Sequence, residues 1–222
     1  MSTTPPLDFH VSHVTSKDDI PGLVLVESKA FQASPVMKLM YPPDAAGQPA
    51  GLFARSVRNH EASLGTDANA RYLKAALPDG TIIGMAKWYI FPDAAAAAES
   101  DPWALEYTGN SNIGLCRFFF GSMNSARRER LGKERHMLMA ILVVAPEYQR
   151  MGVGMKLLEW GLQKADEEQL NCWIDASPFG LGLYKKFGWK EVGKLNVDLG
   201  QWGGEEGKVR TTVHMVRAPK AP

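Results

Sequence analysis

Hydrophobic positions along the chain fall into short stretches of period two and longer ones of period three to four, in mixed order. Phe9, Val11 and Val14 alternate as a first strand would. Ser16 stands where a helix cap would, with Asp18 and Asp19 in a favourable first turn. Leu23, Val24, Val26, Ala30 and Phe31 then give a helix ending near Phe31 its core face. Residues 34–50 carry Pro and Gly and read as a loop around a short helical piece, Pro35 to Tyr41, followed by a second helix over 51–64. Tyr72 to Leu77 and Thr81 to Tyr89 form a hairpin closed by Pro78-Asp79-Gly80; Gly84 marks a bulge or a close approach in its second strand.

Met137 to Val144 is an unbroken aliphatic run, short enough for a strand covered on both faces. Ala145-Pro146 ends it, because proline has no N–H to give to a ladder. Val153 to about Glu168 is an amphipathic helix with Val153, Leu157, Gly161 and Ala165 on one stripe and Lys156, Glu159, Gln163 and Lys164 opposite. Cys172 to Ala176 is another short strand. Lys190 to Leu199 and Val209 to Val216 alternate as antiparallel strands around the flexible loop GQWGGEEGK. Residues 92–135 stand apart as an insertion. An alanine run lies between Pro92 and Pro102, and a helix over 113–132 carries Leu115, Phe118, Phe119 and Met123. The whole, residues 1–222, reads as one domain without internal repeats.

Composition narrows the function classes. With 25 Lys and Arg against 24 Asp and Glu, the net charge of +1 offers no basic face for nucleic acid. No apolar run reaches membrane length and no signal-peptide pattern opens the chain, so a soluble cytoplasmic protein is expected. Cys116 and Cys172 sit in apolar company and read as buried thiols, not a disulfide. No metal site is expected. The arginine-rich end of the helix over 113–132 reads as a solvated terminus.

The chemistry concentrates after the aliphatic strand, in Gln149-Arg150-Met151-Gly152-Val153-Gly154. Glycines allow a tight turn, and the helix that follows adds unpaired N–H groups and the positive end of its dipole. Such a turn can cradle a phosphate or pyrophosphate, with Arg150 as counter-charge; by itself it also fits a plain strand–helix connection. It is neither a dinucleotide fingerprint nor a Walker loop.

The following segment, Ser177-Pro178-Phe179-Gly180-Leu181-Gly182-Leu183-Tyr184 and then Lys185-Lys186-Phe187-Gly188-Trp189, adds a second motif in order. From about Met137 to Val197 the chain resembles the GNAT superfamily of N-acetyltransferases, with Ser177 for the usual Asn and Gly180 for the usual Ala, a variant similar to fungal members. The resemblance implies an α/β acyl-CoA N-acyltransferase fold, a mixed, strongly twisted sheet with helices on both faces. It implies acetyl-CoA as co-substrate, its pyrophosphate on Gln149 to Gly154. The pantetheine arm would lie along the main chain of Leu142, Val143 and Val144, with Ser177, Gly180 and Tyr184 also at the coenzyme. Tyr184 would be the acid that protonates the leaving thiolate.

The loop between the first two helices lines the acceptor site in that family, which makes Phe31, and with it Met37, Met40 and Tyr41, acceptor-site candidates. The glutamate that histone-type members carry on the central strand is replaced here by Leu138, and the run 137–144 holds no titratable side chain. Asp175 is the nearest candidate for a direct role, with His136, Glu106 and Glu27 weaker options for the base. The missing glutamate favours a small primary amine as acceptor. A protein lysine or N-terminus is the alternative, and a non-catalytic acyl-CoA-binding module is the alternative from another class. A monomer or homodimer is expected.

Overall fold

The computed structural model describes residues 7–43, 52–103, 107 and 109–221. In chain order the elements are β1 (His10–His13), α1 (Ile20–Phe31), α2 (Pro35–Met40), α3 (Leu52–Thr66), β2 (Ala70–Ala76), β3 (Ile82–Phe91), α4 (Ala94–Glu99) and α5 (Ile113–Leu131). They continue with β4 (His136–Val144), α6 (Val153–Glu167), β5 (Asn171–Ala176), α7 (Leu181–Lys186), β6 (Lys190–Asp198) and β7 (Val209–Arg217). Ser16 caps as expected, its Oγ accepting the Asp18 N–H at 3.1 Å. The turn it caps is a 3₁₀ turn over Lys17–Asp19, so α1 begins only at Ile20. The alanine run is helical because Asp93 accepts the Ala96 N–H at 2.8 Å and so starts α4.

Seven strands form one sheet in the order β1-β2-β3-β4-β5-β7-β6. Among the described residues β4 and β5 are the parallel pair, and all other neighbours run antiparallel. This is the open mixed sheet, helices on both faces, of the GNAT acyltransferase fold. The bulge expected near Gly84 falls at Ile83, which the β2–β3 register skips.

On one face α6 lies over β2, β3 and β4. Trp88, Met139, Leu157, Leu162, Tyr184 and Trp189 share its core. The opposite face carries α1 over β3 and β4, with Leu23, Val24, Tyr72, Met85, Ile141 and Val143 between them. Towards β5 and β6 that second face is covered by α5. The aliphatic run in β4 is thus explained by cover on both sides.

The close approach of α6 to the sheet rests on Gly161. A Cβ at that position would lie 2.1 Å from Cε2 of Trp88, whose side chain is fully buried. Gly161→Ala therefore gains helix propensity of roughly 1 kcal/mol and loses more to overpacking. The expected net result is destabilisation of about 1–3 kcal/mol, read as a lower midpoint in urea with unchanged slope. An unchanged or raised midpoint would show that α6 can shift away from Trp88.

Candidate active site

The site begins where β4 and β5 part. Their pairing runs from His136↔Asn171 to Met139↔Ile174 and stops there. At the same level β4 bulges. Lys87 of β3 pairs with Ile141 and Trp88 with Met139, so Ala140 faces no residue of β3. A bulge bends its strand and increases local twist, which turns Ala140 to Val144 away from β5 and opens a wedge.

Main-chain groups of β4 line that wedge. Ala145 donates its N–H to Ile83 at 2.9 Å, so by alternation Val143 also turns its groups to β3, while Leu142 and Val144 turn theirs to the gap. The Val144 carbonyl confirms this by accepting Gln149 Nε2 at 3.0 Å. Of the three residues expected to present an edge, Leu142 and Val144 do so. Val143 instead puts its side chain into the core beside Ile141.

Behind the wedge the chain makes a 3₁₀ turn over Pro146–Tyr148 and enters α6. Arg150 takes φ +66° and Gly152 φ +88°, both left-handed. Glycine does so freely; arginine does so at a cost. No side chain caps α6. Its first helical bond runs from Lys156 N–H to the Gly152 carbonyl at 3.1 Å, which leaves the amides of Val153, Gly154 and Met155 without helical partners. Met151 is half exposed, and Arg150, also exposed, forms no hydrogen bond or ion pair among the described residues. Donors, dipole and cation thus face open space, the requirement for holding a pyrophosphate.

On the opposite arm the motif that opens at Ser177 is helical only in its second half. Ser177 to Gly180 form a turn in which the Ser177 carbonyl accepts the N–H groups of Gly180 and Leu181 at 3.1 and 3.2 Å, and the helix covers only Leu181–Lys186. Pro178 and Gly180 are the physical reason, since both disfavour a helix interior. Tyr184 is buried and folds back over Gly180, where a Cβ would lie 2.6 Å from Cε2 of the ring. Burial pushes its phenol well above the ordinary range, so it stays protonated. Its hydroxyl has no hydrogen-bond partner among the described residues.

Residues 40–189 match the model of the acetyltransferase (GNAT) family. The chain belongs to that family. Among solved structures it is similar to arylalkylamine N-acetyltransferase 2 from Aedes aegypti, with TM-score 0.64 and 16% identity over 96% of this chain and 100% of the other. It is also similar to a histone acetyltransferase HPA2 and related acetyltransferase from Corynebacterium glutamicum, with TM-score 0.61 and 18% identity over 97% and 99%. A third is an N-acetyltransferase from Thermoplasma acidophilum in complex with coenzyme A, with TM-score 0.50 and 13% identity over 96% and 99%. At these identities the likeness is one of fold. No curated protein sequence matches the chain. The GNAT family uses acetyl-CoA, and this chain is accordingly an acyltransferase.

The acceptor-side candidates of this acetyltransferase separate on the second face of the sheet. Phe31 is partly buried against the cluster that also holds Leu23, Val24, Ile141, Val143 and Ala145. Met37 is partly buried, but Met40 and Tyr41 are core residues. Met40 is fully buried, and Tyr41 accepts from Arg55 Nη1 at 3.0 Å with the guanidinium 4.3 Å over its ring. Asp175 is the first residue of β5 beyond the paired stretch. Its Oδ1 meets His214 Nδ1 at 2.6 Å and its Oδ2 accepts Trp173 Nε1 at 3.1 Å. Burial pushes its carboxyl up against those two bonds.

The other base options fall away or close on themselves. His136 is fully buried, with Nδ1 on the Glu134 carbonyl and Nε2 on Arg127; burial holds it down at about 4. Glu106 lies outside the described residues. Glu27 bonds His60 Nε2 at 3.0 Å, and His60 Nδ1 meets the Tyr72 hydroxyl at 2.9 Å. Lys87, buried between the rings of Tyr72 and Tyr89, is pulled down to about 8 by desolvation. Sequence reasoning missed His60, Lys87 and His214; Lys87 is marked only by standing alone in an apolar run, while His60 lies among polar residues of α3 and His214 in an alternating strand, where nothing sets them apart.

Gly152 also supplies a direct test of the cradle. No atom lies within 4 Å of a Cβ there. A side chain would therefore project into the open space, with about 1–2 kcal/mol of backbone strain. Gly152→Asp is expected to weaken acetyl-CoA binding about 100-fold by calorimetric titration, by placing a carboxylate before the amides. Gly152→Ala should lose far less. Equal affinities for the Asp variant and the parent would remove the pyrophosphate from this turn.

Proposed function

We propose that the protein transfers the acetyl group of acetyl-CoA to the primary amine of a small molecule, by direct attack. The observation that carries this reading is the wedge. The β4–β5 pairing stops at Met139 and Ile174, Leu142 and Val144 turn main-chain groups into the gap, and a buried, unpartnered phenol flanks it.

Acetyl transfer has three requirements, and the residues divide among them. Arg150 and the amides that open α6 would hold the pyrophosphate, with Gln149, Met151, Gly152, Val153 and Gly154 shaping the turn. Leu142 and Val144 would bond the pantetheine arm as an added strand does, and Ser177 and Gly180 would wall its far side. Tyr184, protonated at any working pH, would give its proton to the sulfur as the C–S bond breaks. Phe31 and Asp175 would border the acceptor on the second face, with α5 as its cover.

A small amine is supported by the lack of any carboxylate on β4 and by the likeness to an arylalkylamine acetyltransferase fold. Two buried, unpaired thiols, Cys116 and Cys172, suit a reducing cytoplasm. An unpartnered Tyr184 hydroxyl at the wedge speaks against a module that only binds acyl-CoA.

Tyr184→Phe keeps the ring and removes the proton. The expected outcome is an acetyl-CoA dissociation constant within about twofold of the parent and kcat for thiol release lower by about 10²-fold or more. Unchanged kcat with the best amine of a panel would remove Tyr184 from the chemistry.

A further inference from the structure

Two buried carboxylate–histidine pairs flank the wedge on the acceptor face. One is Glu27–His60, over β2 and β3; the other is Asp175–His214, on β5 and β7. They differ in what remains free. In the first, both ring nitrogens of His60 are bonded, to Glu27 and to Tyr72, and Lys87 adds a neighbouring positive charge. That network is closed. In the second, Nδ1 is taken by Asp175, and no hydrogen bond reaches Nε2 among the described residues. Nor is Nε2 among the polar atoms sealed from solvent without a partner.

We infer that His214 is the base that takes the proton from the acceptor nitrogen, with Asp175 as the positioning residue that fixes its tautomer. A carboxylate only accepts hydrogen bonds, so it holds the imidazole proton on Nδ1 and leaves the lone pair on Nε2. The ring is fixed on three sides. Asp175 lies at Nδ1, the Trp173 indole stacks at 5.5 Å between centroids and 29° between planes, and Gly193 lies against the Cδ2 edge. A Cβ on Gly193 would come within 3.2 Å of Cδ2, so the glycine leaves room for the ring. With Asp175 at Nδ1 and Gly193 at Cδ2, Nε2 looks off the sheet on the face that carries α1 and α5. Its strand partner Asp175 is the first residue of β5 past the point of separation, which places the pair at the wedge and not behind it.

The step balances. The neutral amine attacks the thioester carbon, the C–N bond forms and the C–S bond breaks with its electron pair going to sulfur. The proton shed by nitrogen goes to His214 Nε2, the Tyr184 proton goes to sulfur, and solvent returns the first proton to the phenolate. Few other charges face the pair. From α5 comes Arg127, already bonded to His136 and Asn124; from β7 itself comes Arg210, on the same face four residues along. Opposite on β6 stand Gly193 and Leu195, while Glu191 and Lys194 lie on the other face.

The inference rests on the acetyl-transfer reading, and the test separates the two. The kcat/KM of parent and His214→Gln is measured with one acceptor from pH 5.5 to 9, so that the acceptor's own titration cancels in the ratio. The expected ratio is about 10²-fold or more at the alkaline end of that range and shrinks towards unity at the acid end, where a proton on Nε2 removes the base. Asp175→Asn should lower the same plateau while acetyl-CoA affinity stays within about twofold. A pH-independent ratio, or a loss under about threefold, overturns the inference alone, as does a Glu27→Gln variant that abolishes the acid limb. Parent protein that binds acetyl-CoA but releases no thiol with any amine overturns both. If His214→Gln fails to fold, diethyl pyrocarbonate on the parent decides. Carbethoxylation of His214, located by peptide mass, should track loss of turnover and slow in saturating acceptor. Modification without loss overturns the inference. So does inactivation by the reagent that leaves His214 unmodified.

Discussion

The unpaired Ala140 is a small irregularity with large consequences. A parallel pair that stayed in register along all of β4 and β5 would bury every main-chain group of both strands and leave no room between them. By stepping out of the β3 ladder at Ala140, β4 keeps its antiparallel neighbour on one side and loses its parallel neighbour on the other. Exposed main chain in the middle of a sheet is costly unless something pairs with it. The wedge, the turn behind it and the short α7 opposite all lie around that unpaired edge.

The second face shows how polar groups survive beside such an opening. Glu27, His60, Tyr72 and Lys87 pair opposite charges and hydrogen bonds beneath α1 and α3, and Arg127 of α5 donates hydrogen bonds to His136 and Asn124. Burial pulls Lys87 and His136 down and pushes Asp175 up, the last against the bonds from His214 and Trp173 that favour its carboxylate. Against that background a ring nitrogen with no partner stands out more than any charge does.

How much of this was legible in the sequence differs by element. β4, the turn after it and α6 announce themselves, because a nine-residue strand covered on both faces must be uniformly apolar and a left-handed residue at the helix entry asks for Gly152. The bulge at Ala140 does not, since one extra residue inside an aliphatic run leaves the pattern unchanged. The extent of α7 is not legible, because the motif runs through Pro178 and Gly180 while the helix waits for Leu181. Met40 and Tyr41 looked like wall residues until Arg55, on another helix, closed over Tyr41. His214 was out of reach for the same reason. Its partner is 39 positions away, and only the β5–β7 register brings them together.

The uncapped start of α6, together with Arg150 in a left-handed conformation, has a bearing on turnover of the protein itself. No side chain caps this turn, and Arg150 holds its left-handed backbone at a cost of order 1–3 kcal/mol. A ligand that binds only the folded form adds RT ln(1 + [L]/Kd) to stability. A coenzyme held at this turn, as proposed, would therefore protect the folded chain from proteolysis as well as take part in the reaction.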